Sequence, residues 1–183
     1  LRPALALGVP VAAAALLHAL YNLARFGSPG DAGYHYILMG ERFAALVEHY
    51  GRFHPHFLPH NLFGLLLAPP QLVRGTLQPD PHGMSILLTT PFLLLGLWPR
   101  RWSALEGVAA STAALIAVPA LLYYNDGWVQ FGQRFALDWI APGLLVASFG
   151  ARRAPGWLVW TLTLAGIAVN AWGTLWFQAN FRH

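Results

Sequence analysis

Long apolar stretches separated by short polar breaks make up most of the chain. Five of them are predicted to be membrane-spanning helices, at about residues 3–23, 82–98, 103–124, 129–150 and 157–177. With a rise of about 1.5 Å per residue, roughly 20 residues cross a hydrocarbon core of about 30 Å. The stretch at 82–98 is short and contains Pro91, so a bend is expected there. The pattern predicts an all-α, polytopic transmembrane helical bundle of about five spans.

A long polar and aromatic region, residues 24–81, lies between the first two predicted spans. Within it, the spacing of apolar residues from Tyr36 to Tyr50 predicts an amphipathic helix. A short apolar run at 62–68 is followed by two prolines and cannot cross a bilayer. The region is therefore predicted to be one large external loop that carries one or two interfacial helices.

The composition favours an integral membrane protein. Of the 183 residues, 56% are hydrophobic and only 10% are charged, whereas soluble domains carry about 25% charged residues. The absence of cysteine excludes disulfides and thiolate metal sites. All eleven basic residues are scattered arginines, so the net charge of +4 does not indicate nucleic-acid binding. Because the chain starts in an apolar run without a methionine, residues 1–183 are expected to be a single membrane domain from the C-terminal part of a longer protein.

The arginines predict an orientation. With five spans, the short loops at 100–101 and 152–153 fall on the same side as Arg2. The positive-inside rule makes that side cytoplasmic. The long loop and the C-terminus are then expected outside.

The stretch 127–139, GWVQFGQRFALDW, holds the first candidate site. If it is helical, Gln130, Arg134 and Asp138 stand at i, i+4 and i+8 on one face. The planar guanidinium of arginine binds phosphate with two parallel hydrogen bonds, and the other two side chains would assist. This arrangement predicts an outward-facing anion site. The alternative is an ion pair within the helix that only anchors the span at the interface.

Two further groups of residues are candidates. Tyr34 and His35, in the sequence GYHY, have aromatic rings with polar tips that suit sugar faces and lipid headgroups, although an interfacial aromatic belt explains them equally well. His54, His56 and His60 have the spacing H-x-H-x3-H, which three zinc ligands would also show. Two prolines interrupt that segment and no acid lies close in sequence, so solvated loop histidines and no metal site are predicted.

Four segments occur in an order that resembles a known family. They are YNLARFGSP at 21–29, GYHY at 33–36, GMSILLTTPFLLLGL at 83–97 and YYNDGWVQFGQRFALDWIAPGLLV at 123–146. Together they resemble the C-terminal halves of bacterial GT-C superfamily membrane glycosyltransferases. That grouping includes protein O-mannosyltransferases and lipid A aminoarabinose transferases. The resemblance covers most of residues 17–148.

The resemblance implies a multi-pass enzyme of the bacterial inner membrane that works on the outer face. It implies a polyprenyl-phosphate-linked sugar donor, a lipid, glycan or protein acceptor, and no cofactor. The catalytic acid of the family lies in an earlier external loop, N-terminal to these residues. By the same resemblance, Arg134 would sit near the carrier phosphate with Gln130 and Asp138 beside it. Tyr34 and His35 would line the same cavity.

Two other functions remain open from the sequence. A transporter or flippase module for an anionic lipid or solute would use Arg134 and Asp138 to line a pathway. A non-catalytic membrane scaffold would need neither residue for binding. An acidic pair in an upstream loop would favour the transferase, whereas a repeat of the present half would favour transport.

Overall fold

A computed structural model of the chain describes residues 2–33, 36, 39–99 and 101–180. The chain forms two compact units, residues 1–44 and 45–183. Helix is the main secondary structure of both units. Within the described residues, three helical stretches are long and apolar enough to cross a membrane, and they are Ala6–Phe26, Ala104–Leu122 and Gly156–Asn180. The prediction of a mainly helical membrane protein is confirmed at this level.

The first unit consists of helix α1, Arg2–Phe26, and the turn that follows it. The buried side chain of Asn22 donates a hydrogen bond to the carbonyl of Pro29 at 3.3 Å. The ring of Tyr36 stacks on that of Phe26 with 5.7 Å between centroids. These contacts fold the turn back onto the last turn of α1. The Asn22 side chain therefore stabilises this turn through its hydrogen bond to Pro29.

The remaining helices are α2 (Glu41–Tyr50), α3 (Leu58–Leu67), α4 (Ile86–Thr89), α5 (Ala104–Leu122), α6 (Leu137–Ala151) and α7 (Gly156–Asn180). Short 3-10 helices cover Pro55–Phe57, Pro91–Leu97 and Arg134–Ala136. The amphipathic helix expected from Tyr36 therefore begins only at Glu41. The apolar run at 62–68 lies almost entirely in α3.

Four short strands interrupt this helical pattern, and the sequence pattern did not predict them. Strands β1 (Gln71–Val73) and β2 (Thr76–Gln78) form an antiparallel hairpin. Its two-residue turn has positive φ at Arg74 and Gly75, which matches the twist of paired strands. Strands β3 (His82–Met84) and β4 (Gln130–Gly132) pair in parallel across 48 residues of sequence, with His82 opposite Gln130.

Helices α5 and α6 pack against each other and run in opposite directions. Helix α5 starts with a capping box, in which Ser103 and Glu106 bond each other's backbone N–H groups. The first turn of α5 and the last turn of α6 line one cavity, together with Arg101, Arg152 and Arg153. The last turn of α5 and the first turn of α6 line another. We call the former end of this helix pair the arginine end and the latter the strand end.

The predicted span at 82–98 is not a continuous helix. It consists of β3, one turn of helix α4 and the 3-10 helix Pro91–Leu97. Thr90 has φ −139° and ψ 63°, because the ring of the following proline excludes helical geometry at the residue before it. The prediction of one continuous helix over residues 82–98 was therefore wrong. The prediction of a bend at Pro91 is confirmed as a break.

The broken segment nevertheless runs the whole length of the helix pair. Its start is paired with β4 at the strand end, and Trp98 and Pro99 line the cavity at the arginine end. Its 3-10 part packs against α6 and α7, where Leu95 and Ala147 are 1% and 0% exposed. The carbonyl of Thr89, freed by the break, accepts a hydrogen bond of 2.6 Å from the Asn170 side chain on α7. A buried carbonyl left without a partner would destabilise this layer.

The predicted fourth span also begins differently. Residues 130–132 form β4, residues 134–136 form a 3-10 turn, and α6 starts only at Leu137. Pairing with β3 holds this stretch extended, and that is a long-range interaction absent from the local pattern. The 15 residues of α6 are about 22 Å long, which is shorter than a bilayer core.

Substitution of Gly83 tests the parallel pairing of β3 with β4. Its φ is +95°, and a Cβ there would lie 2.9 Å from both the Gly132 carbonyl oxygen and the Gln130 Nε2 atom. We expect Gly83→Ala to lower the free energy of unfolding by about 1–3 kcal/mol, because it adds backbone strain to a clash with a neighbouring strand. Denaturant unfolding of the purified protein in detergent measures this. Gly107→Ala in α5 is the control, since its Cβ would meet nothing within 4 Å and it should be neutral or stabilising. Equal effects of the two substitutions would contradict the strand pairing.

Candidate functional site

The strand end is organised by the side chain of Gln130. This residue is buried, and its Nε2 group donates hydrogen bonds to the carbonyls of His82 and of Asp126, the latter at 2.8 Å. Its Oε1 atom accepts from the backbone N–H of Arg134 at 3.4 Å. One amide therefore ties β3, the loop after α5 and the 3-10 turn before α6 together.

Gln133 supplies a second amide to the same place. Its Nε2 group donates to the carbonyl of Gly83 at 2.9 Å and to that of His82 at 3.3 Å. The β3 carbonyls of His82 and Gly83 thus each have a side-chain donor. This satisfies backbone groups that lie beside apolar helices.

Asp126 is the centre of a polar cluster whose members come from three separate parts of the chain. Its carboxylate is 15% exposed and lies 2.9 Å from Nε2 of His60 on α3. Nδ1 of His82, at the start of β3, lies 3.2 Å from its other oxygen. The indole ring of Trp128 packs edge-on against the His82 imidazole at 4.8 Å. We call Asp126, His60 and His82 the Asp–His cluster.

Sequence reasoning missed the Asp–His cluster. Its members are 66 and 44 residues apart in sequence, so no local spacing connects them. The available signal was the acid Asp126 at the end of an apolar span, just before the stretch that was singled out. An unpaired acid in that position is costly, and a partner elsewhere in the chain was therefore to be expected.

Arg134 lies on the exposed side of the strand end. Its guanidinium is stacked on the ring of Phe135, with 5.0 Å from Cζ to the ring centroid. In the part of the chain that the structure describes, no carboxylate forms an ion pair with it. Its charge is therefore not neutralised by the neighbouring acids.

A cavity of about 310 Å³ opens beside Arg134. Its polar lining residues include Arg134, Gln133, Thr90 and Asn170. Its apolar lining residues include Ile86, Phe131, Leu137 and Ile140. A site with one uncompensated cation beside apolar side chains suits an anionic head attached to an apolar chain.

The structure corrects the prediction that Gln130, Arg134 and Asp138 lie on one face of a single helix. Gln130 is in a strand, Arg134 is in a 3-10 turn and Asp138 is in the first turn of α6, so the three do not share one helix. The described residues contain no ion pair between Arg134 and Asp138, which also removes the interpretation as an anchoring pair. Gln130 and Arg134 do line one cavity, while Asp138 is exposed and does not line it. The phosphate-binding role of these residues stays a prediction.

The three candidate metal-binding histidines do not come together in the structure. His56 stacks on Tyr50 at 4.0 Å and His54 packs against the same ring at 5.1 Å. His60 instead points to Asp126, so the three histidines serve two different contacts. Among the described residues, no group of three metal-ligating side chains is arranged to hold a metal ion. Tyr34 and His35 lie outside the described residues.

Comparisons of the chain with protein-family models, with curated proteins and with solved structures found no match. The resemblance to the membrane glycosyltransferases therefore rests on the quoted sequence segments alone.

Replacing Gln130 tests the organisation of the strand end. Gln130→Met keeps a similar shape but removes the side-chain partner of the Asp126 carbonyl and of the Arg134 N–H, and leaves the His82 carbonyl only the longer hydrogen bond from Gln133. We expect the free energy of unfolding to fall by about 1–3 kcal/mol, the usual cost of unsatisfied buried groups. Gln178→Met on the exposed surface of α7 is the matched control and should be near neutral. Thermal unfolding in one detergent compares the two, and a neutral Gln130→Met would show that the amide does not hold these elements together.

Proposed function

We propose that the chain is the C-terminal membrane part of a polyprenyl-phosphate-sugar-dependent glycosyltransferase that acts on the outer face of the membrane. The observation that carries the proposal is the cavity beside Arg134, which combines an uncompensated guanidinium with an apolar wall. A polyprenyl phosphate has the same division into an anionic head and a hydrocarbon chain. The ordered motifs that resemble GT-C enzymes give the proposal its reaction class.

In this proposal Arg134 binds the phosphate of the carrier. Its planar fork donates two parallel hydrogen bonds to phosphate oxygens. Charge on the bridging oxygen grows as the bond to the sugar breaks. A fixed guanidinium stabilises that charge more strongly in the transition state than in the ground state.

The reaction is an inverting transfer. A carboxylate removes the proton of the acceptor hydroxyl, the acceptor oxygen bonds to the anomeric carbon, and the bond from that carbon to the phosphate oxygen breaks. The carrier phosphate leaves with the electron pair of that bond and remains at Arg134. The resemblance assigns the base to an external loop N-terminal to residue 1. It also assigns Tyr34 and His35 to the wall of the sugar cavity.

The topology is part of the proposal. Helices α1, α5 and α7 cross fully, α6 crosses as a short helix against α5, and the broken segment at 82–98 crosses between α6 and α7. A broken backbone is compatible with membrane depth when protein surrounds it and its polar groups have partners. The arginine end is then cytoplasmic, and the strand end with the long loop faces outward in the bacterial inner membrane.

A transporter or flippase module for an anionic lipid is the second candidate. The break at Thr90–Pro91 favours it, because discontinuous spans line the binding sites of many transporters. Against it, the freed Thr89 carbonyl is occupied by Asn170 and does not line an ion site. Movement of a labelled polyprenyl phosphate across reconstituted vesicles, without sugar transfer, would favour this function over the first.

Cysteine labelling tests the topology, and the chain contains no cysteine of its own. We expect single cysteines at Trp102 and Ala154 to be shielded from an impermeant outside reagent in intact cells, because both lie in the short arginine loops. A cysteine at Leu77 in β2 is the control and should be labelled. Permeabilised cells should allow labelling at all three positions. Outside labelling at 102 and 154 would reverse the proposed orientation.

Arg134 variants test the phosphate site. Losing a charge-assisted hydrogen bond costs about 1.5–3 kcal/mol, so Arg134→Ala should slow transfer by the full-length protein roughly 10- to 100-fold. Arg134→Lys should be nearly as slow, because an ammonium cannot reproduce the fork. Transfer from a polyprenyl-phosphate-linked sugar to the membrane acceptor is the measurement.

Two control variants show whether a loss of activity comes from the loss of the Arg134 phosphate contact or from a general change in charge or folding. Arg74→Ala removes an arginine from the tip of the β1–β2 hairpin and should leave the rate unchanged. Asp138→Asn should also be near normal, because Asp138 forms no ion pair with Arg134 in the described part of the chain. Full activity of Arg134→Ala at normal protein abundance would eliminate the phosphate role.

A further inference from the structure

The arginine end holds a second cavity, which the proposed transfer reaction does not use. Its volume is about 640 Å³. The residues around it come from the end of the broken segment, the start of α5 and the end of α6, and they are Trp98, Pro99, Arg101, Ser103, Glu106, Phe149, Arg152 and Arg153. We call this the arginine cavity.

The charge around the arginine cavity is positive. Arg101, Arg152 and Arg153 form no ion pair with any acid of the described residues. The Cζ atom of Arg152 lies 5.5 Å from the ring centroid of Phe149, which is another residue of the cavity wall. The acid on the wall, Glu106, is only 3% exposed, and its Oε2 atom accepts hydrogen bonds from the backbone and hydroxyl of Ser103. Its carboxylate is thus directed toward the start of α5.

The apolar parts of the wall lead toward the membrane layer. Trp98 and Phe149 line the cavity, and each adjoins a long apolar stretch, the 3-10 helix Pro91–Leu97 and helix α6 respectively. Leu97, next to this wall, is 80% exposed. An acyl chain that leaves the cavity along Leu97 would cover apolar surface that is otherwise unburied.

We propose that the arginine cavity binds the phosphodiester headgroup of an anionic membrane phospholipid. Three guanidinium groups supply paired donors for the phosphate oxygens, and the apolar wall receives the start of the acyl chains. A free phosphate ion has the same head chemistry but would leave the apolar wall and Leu97 uncovered. The site is separate from Arg134, so the proposal stands or falls independently of the transferase.

The alternative role of these arginines is to orient the chain in the membrane. That role needs only their positive charge. The two roles differ in what lysine can replace. Arg152→Lys with Arg153→Lys keeps the charge and the orientation but loses both planar forks. A built headgroup site loses affinity in this variant, whereas an orientation signal does not.

The test measures phospholipid retention by the purified chain with native mass spectrometry, from micelles that contain phosphatidylcholine and phosphatidylglycerol. The unchanged protein should retain phosphatidylglycerol in preference to phosphatidylcholine. The double lysine variant should lose about 10-fold or more in affinity for phosphatidylglycerol, and the double glutamine variant at the same positions should lose the preference altogether. Arg74→Gln removes one positive charge from the β1–β2 hairpin, away from the arginine cavity, and should retain the preference.

Three results would overturn the proposal. The first is equal retention of the two lipids by the unchanged protein, which needs no variant and so does not depend on folding of a mutant. The second is unchanged phosphatidylglycerol affinity in the double lysine variant, since charge alone would then suffice. The third is complete displacement of phosphatidylglycerol by inorganic phosphate, which would identify a site for the free ion. The melting temperature of each variant without phosphatidylglycerol is measured alongside, so that a loss of fold is recognised as such.

Discussion

Every backbone carbonyl freed by a broken helix in an apolar layer must find a donor, and this constraint shapes residues 45–183. An unsatisfied polar group in hydrocarbon costs several kcal/mol, so a break survives only where a side chain completes the hydrogen bonding. Asn170 does so for Thr89 at the break before Pro91. Gln130 and Gln133 do so for the β3 carbonyls at the strand end. Three amide side chains, each distant in sequence from the carbonyl that it bonds, therefore complete hydrogen bonding that a continuous helix would have completed by itself.

The same constraint places the candidate chemistry at one end of α5 and α6. Gln130 is engaged with three backbone groups, which makes it a structural residue in addition to a predicted ligand. Its position fixes the 3-10 turn that carries Arg134, and the guanidinium is left facing a cavity with an apolar wall. In the proposed function, this guanidinium, which stacks on the Phe135 ring, is the group that meets the carrier phosphate. A positive charge at that position favours a transition state in which negative charge develops.

The two ends of the helix pair differ in character. The strand end combines one cation with amides and the Asp–His cluster, whereas the arginine end groups three cations around a capped helix start. A chain that selects its orientation by charge needs cations on one side only. In the lipid proposal the same cations bind lipid phosphate there, and one of them, Arg152, lies over the ring of Phe149. Taken together, the two proposals give these residues two uses, orientation and lipid binding.

The sequence by itself determined the helical class, the positions of α1, α5 and α7 and a disturbance at Pro91, because each follows from local hydrophobicity or local steric rules. It also singled out Arg134. Only the tertiary structure decided that 130–132 is a strand, that Arg134 and Asp138 are not paired, and that His60 and His82 meet Asp126. These outcomes depend on pairing between residues 44 to 66 positions apart, and a periodicity within one segment carries no information about such partners.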